Sequence, residues 1–196
     1  MFWARIKTIK NPLSHSKRER YAAMYIYLTS GTADFMENLR KKYVPKEQMI
    51  VLHGSGNSVL LHETEGKTVF ATPRKYEVID SANSIEQTGY FVFNNIPVSD
   101  EGRPVFEKRF LSRSGAIEKE PGFIAYRLLR PLASDTYIVL TQWTGPSSFE
   151  AWKNSNAFKE AHSKPSHATP GVQQQNIFNA ASYVTTYSGK LAEEKQ

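Results

Sequence analysis

The chain reads as an α+β protein of two ferredoxin-like β-α-β-β-α-β halves, packed as an internal pseudo-dimer with a barrel-like core. Three observations predict this. Short runs of β-formers alternate with amphipathic helical stretches from Met24 to Tyr187. The same order of elements recurs on either side of residue 88, as a repeat of pattern and not of identity. No apolar run approaches the roughly 18–20 residues of a membrane span, so no stable membrane insertion is expected and the elements must bury against one another.

In the first half, Tyr25–Thr29 is rich in β-formers. Thr32 has the character of an N-cap, with Asp34 in the first turn and Phe35, Met36, Leu39 and Tyr43 at helical spacing up to Pro45. Met49–His53 and Ser58–Glu63 are strands joined by the turn Gly54-Ser55-Gly56-Asn57. Thr68–Ala71 is a further short strand. Pro73 opens a short helix over residues 73–80 with Tyr76 and Ile79 inward. A polar connection from Ser81 to Gly89 holds an edge strand around Ile85.

The second half begins with the strand Tyr90–Val98, with Pro97 at its edge or end. Ser99 or Asp100 caps a helix whose apolar face is Val105, Phe106, Phe110 and Ile117, and Pro121-Gly122 breaks it. Phe123–Leu129 and Thr136–Trp143 form a hairpin. Pro146 or Ser147 opens a helix through Trp152, Asn154-Ser155-Asn156 interrupts it, and a second stretch runs to His162. Lys164–Gln175 is a polar loop and Ile177–Tyr187 a last strand. The organisation is therefore a basic extension at 1–23, halves at 24–88 and 89–187, and a charged tail at 188–196. Two fused plaits do in one chain what a homodimer does with two, so a monomer is expected.

The net charge of +6 sits almost wholly in the head, where Arg5, Lys7, Lys10, Lys17, Arg18 and Arg20 face Glu19 alone. The rest is nearly balanced, which removes the electrostatic case for nucleic acid. The head lacks the apolar region of a secretory signal and is expected to be peripheral. Zero cysteines exclude disulfides and a thiolate ligand to iron, and fit a cytoplasmic protein.

Three places carry potential chemistry. His162 is either a neutral imidazole placed to ligate a metal or a surface histidine near a helix C-terminus. Trp152 lies ten residues earlier, about 280° of rotation and roughly 15 Å of rise on an unbroken helix. The Asn154–Asn156 interruption would let both side chains address one flat cavity; otherwise Trp152 and Phe149 form a core stripe. Asn94 and Asn95 stand in an otherwise apolar strand and point to opposite faces. A buried amide there belongs to a network or to a site; the bland alternative is a strand-end pair beside Pro97. His53 and His62, on neighbouring strands, make a weak metal pair without a third ligand.

Together FVFNNIPV and PGFIAYRLLRPLASDTYIVLTQWTGPSSFEAWKNSNAFKEAH resemble the antibiotic-biosynthesis-monooxygenase-type domain of IsdG-like heme-degrading enzymes. YLTSGTADFMENL, LLHETEGKTVFATPRKYEVID and SYVTTY extend the resemblance to the two-part HmoB-type enzymes of Bacillus-type bacteria. It implies His162 as the axial ligand of heme iron, Trp152 as the ring pressing on the porphyrin, and Asn95, ahead of its neighbour Asn94, as the distal amide. Phe158 shares a helical face with His162 and joins it as a heme contact. The implied reaction opens the tetrapyrrole oxidatively and releases iron, with heme as both substrate and cofactor and an external electron-donating reductase. The chain also resembles the staphylococcal TRAP-type signalling proteins, which implies a non-catalytic regulatory alternative. Cofactor-free, quinone-forming monooxygenases of the same superfamily supply a third.

Overall fold

The computed structural model describes residues 23–44, 46–112, 117–156, 158–159 and 177–189. Most of the basic head, the 164–175 loop, most of the tail and His162 lie outside the described residues. The strands are β1 (Tyr25–Gly31), β2 (Met49–His53), β3 (Ser58–Thr64), β4 (Arg74–Ala82), β5 (Tyr90–Pro97), β6 (Phe123–Pro131), β7 (Thr136–Trp143) and β8 (Tyr183–Gly189). They close an antiparallel barrel in the order β1-β3-β2-β8-β5-β7-β6-β4. Among the described residues three α-helices lie outside it: α1 (Ala33–Tyr43), α2 (Arg103–Leu111) and α3 (Pro146–Lys153).

Strand alternation explains why both faces of this barrel are apolar. Ile26, Leu52, Leu61, Phe91, Phe93 and Leu140 point inward and form one core. Their neighbours point outward into two further cores. Met36 and Phe70 cover Met49, Val51 and Leu60 on the first half, and Phe106 covers Ile96, Val98, Leu128 and Tyr137 on the second. Thr32 caps α1 by accepting from the Phe35 amide at 3.4 Å.

Several expectations for the first half are overturned. Residues 73–80 are not a helix but most of β4, which pairs with β1 on one side and with β6 on the other. Tyr76, Val78 and Ile79 are strand-formers, and two hydrogen-bonded ladders outweigh a helical spacing that only local sequence supports. The first half is therefore β-α-β-β-β, and β4 is one seam between the halves. Thr68–Ala71 is loop. Ile85 pairs with no strand; it is buried in the barrel core while Gln142 takes the backbone of Glu86 and Thr88, and Gln87 that of Val51. The inter-half connection thus stoppers one mouth of the barrel. His53 and His62 do not meet either: the register sets His53 opposite Ser58 and His62 opposite Met49. Each clasps a hydroxyl and a carboxylate instead, Ser58 and Glu37 for His53, Thr68 and Glu47 for His62.

α2 is fastened by Glu107. Its carboxylate accepts from Arg130 Nη2 at 2.6 Å and Nε at 2.7 Å, and from the buried Tyr137 hydroxyl at 2.5 Å. The Arg130 bonds outweigh partial burial and hold the Glu107 carboxyl below its ordinary 4.5. A depressed folded-state pKa gives stability that is full above the unfolded value and lost as pH falls through the folded one. Thermal unfolding of Glu107→Gln should therefore lag the parent by a constant gap above pH 4.5, and the gap should close below it. A gap unchanged across that range would show that charge plays no part.

Candidate active site

The outward rows of β5, β7 and β6 form the floor of a groove. Directly paired residues share a face, so Asn94, Val139 and Leu128 make one row and Val92, Thr141 and Tyr126 the next. α2 closes one end through Phe106 and Phe110. At the other end the row Tyr90–Trp143 meets α3 through Phe149 and Trp152.

α3 starts where it does because Pro146 takes its first turn, and Gly122 lets the turn before β6 pass close against it. Gly122 has φ +79°, and a Cβ there would overlap Ser148 Oγ. The Gly122 carbonyl accepts from the Thr144 amide at 2.8 Å, and Thr144 Oγ1 meets Ser148 Oγ at 2.9 Å. The helix ends as the polar trio requires: the Asn154 amide bonds back to Glu150 and Ala151, and Ser155 Oγ accepts from the Phe158 amide at 3.1 Å to open a new turn.

Trp152 is half-buried. Its ring lies 5.4 Å from Trp143, 5.9 Å from Phe149, and 4.8 Å from Phe158 at 88°. The structure thus brings Trp152 and Phe158 together at the groove. Asn95 is placed elsewhere. It pairs with Ile138, whose side chain belongs to the barrel interior, and it is buried. Its amide donates to Phe93 O at 3.0 Å, and to Tyr183 O and Thr185 Oγ1 at 3.3 Å. Asn94 pairs with Val139 and is the asparagine on the groove face.

Three groove residues escaped the sequence reading. Thr141 and Trp143 are two apart on one strand, hence on one face, and the indole N–H donates to the hydroxyl at 2.9 Å. Tyr126 lies beside Thr141; burial first, and the Asp80 carboxylate second, push its phenol well above 10, so it stays protonated. A separate cavity of about 580 Å³ beside Glu63, Asp80 and Arg127 shares none of these groove residues. Among the described residues no cluster of three His, Asp or Glu is placed to hold a metal ion, and no helix is long and apolar enough to cross a membrane.

Residues 89–164 match the family model for antibiotic biosynthesis monooxygenase. Over 139 residues the chain is 30% identical to the signal transduction protein TRAP of Staphylococcus aureus, covering 71% of this chain and 83% of that protein. The solved structure of a major regulator of staphylococcal pathogenesis superposes with a TM-score of 0.73 at 25% identity, over 85% of this chain and 99% of that one. The heme-degrading enzyme LmHde of Listeria monocytogenes shares the fold, with a TM-score of 0.62 at 23% identity over 85% and 99% of the two chains.

Proposed function

The chain belongs to the family of the staphylococcal signal transduction protein TRAP, with an antibiotic biosynthesis monooxygenase domain in its second half, and from that premise we propose that it is a heme-degrading monooxygenase acting in the α2–α3 groove. The supporting observation is the outer face of the second half, where Asn94, Tyr126 and Val139 are half-buried beside the buried Val92, Thr141 and Leu128, and the aromatic group of Trp143, Phe149 and Trp152 closes one end.

The groove residues fit a flat, mostly apolar macrocycle with few polar groups to orient it. Val139, seated beside the buried Leu128 and Val92, would exclude water beneath the ring. Trp152, backed by Trp143, would lie against it. Asn94 would supply an amide N–H from the floor, a role the register favours for it over Asn95. His162 is assigned as the iron ligand from the sequence. Heme, as substrate, brings its own redox chemistry; a cytoplasmic reductase would supply electrons to a monomeric protein.

Titrating hemin while following the Soret band, then adding ascorbate and identifying products by mass spectrometry, tests this. Binding followed by bleaching and iron release is expected. Absence of binding would favour the other reading, a regulator like the relative named for signal transduction.

A further inference from the structure

We propose that Thr141 and Trp143 are positioning residues for Trp152, and that they set the angle at which its indole meets a ligand in the groove. The ligand part of this inference rests on the function proposed above. α3 has eight residues, none of them buried. A helix that short has no stability of its own, so its place is set by what it packs on. Phe149 and Trp152 both pack on Trp143, at 6.0 and 5.4 Å, and the two indoles are inclined by 32°.

Trp143 is the fixed member of the pair. It is fully buried on a central strand, and Phe123 meets it edge-on at 5.8 Å and 82°. Apolar walls alone would leave the indole free to turn over. The 2.9 Å bond from its N–H to Thr141 Oγ1 removes that freedom, because the turned ring would bury an unpaired donor. The hydroxyl thus fixes Trp143, Trp143 fixes Trp152, and Phe158 meets Trp152 at a right angle on another side. A strand, the most rigid element present, thereby orients a side chain carried on one of the shortest helices.

The test starts without ligand. Two indoles this close couple as an exciton pair and give a bisignate circular dichroism band in the far ultraviolet, which Trp152→Phe should abolish. Thr141→Val should collapse or invert the couplet, and Thr141→Ser, which keeps the oxygen, should restore it. Should Thr141→Val fold poorly, Trp143→Phe gives the same reading through the position of Trp152, followed by its fluorescence maximum. With hemin, Thr141→Val should hold affinity within about twofold while turnover falls about tenfold or the products change, and Thr141→Ser should recover both. A parent without the couplet, or Thr141→Val with a parental couplet, would overturn the positioning. Loss of the couplet with parental turnover and products would overturn its relevance to the ligand. A parent with the full couplet series that binds no hemin would overturn the heme reading and uphold the positioning.

Discussion

Replacing Arg127 with methionine should lower stability by about 3–5 kcal/mol. Arg127 is on β6 and points into the barrel, where its guanidinium spans the seam between the halves. Nε and Nη2 reach both oxygens of Glu63 on β3 at 2.6 and 3.2 Å, and Nη1 donates to the carbonyls of Ala82 and Asn83 at 3.1 and 2.8 Å. Both side chains are less than a tenth exposed. Removing the cation leaves a carboxylate and two carbonyls short of partners, and that desolvation cost, not the net worth of the pair, is what the variant loses. Two further variants follow from this. Arg127→Lys should recover little, because one ammonium cannot serve a bidentate carboxylate and two carbonyls at once. Methionine at 127 with leucine at 63 should recover most of the loss, because no buried charge remains. Urea unfolding midpoints at constant slope would measure all three. A single Arg127→Met variant within about 0.5 kcal/mol of the parent would show that water from the cavity beside Glu63 serves the carboxylate in place of the guanidinium.

This pair was within reach of the sequence, since Arg127 alternates with Ala125 and Leu129 on a strand whose inward face is otherwise apolar. What the sequence lacks is the partner, 64 residues away on the other half. The same division between local and distant information runs through the fold. The Thr32 cap, the Gly54–Asn57 turn and the Asn154–Asn156 break depend on neighbours in the chain, and all three are where local chemistry puts them. β4 depends on strands from both halves, and helical spacing over 73–80 misled because nothing local represents those ladders. The two asparagines show the limit most sharply. Alternation says that they face opposite ways, but Phe91 and Val92 are both buried, so neither face declares itself as the interior. Only the pairing with Ile138 and Val139 assigns them. Thr141 and Trp143 were legible as a same-face pair, but the sequence does not say that α3 comes to rest on them.

Asn94→Ala should bind hemin nearly as the parent does and degrade it about 30- to 1,000-fold more slowly, whereas Asn95→Ala should degrade it at the parental rate per folded molecule and be less stable. The two side chains are adjacent in sequence and do different work. Asn94 stands on the groove floor opposite Val139, where an amide N–H can favour charge that develops only during reaction. Losing such a donor leaves ground-state binding alone and costs roughly 2–4 kcal/mol at the barrier, which is the stated range of rates. Asn95 donates to Phe93 O, Tyr183 O and Thr185 Oγ1 inside the barrel. These contacts fasten β8 to β5, and alanine leaves buried acceptors without a donor at about 1–3 kcal/mol. Single-turnover bleaching and urea midpoints on both variants separate the two effects. An Asn95→Ala protein of parental stability and slow turnover, beside an Asn94→Ala protein of parental turnover, would reverse the assignment and move the ligand from the groove to the barrel interior.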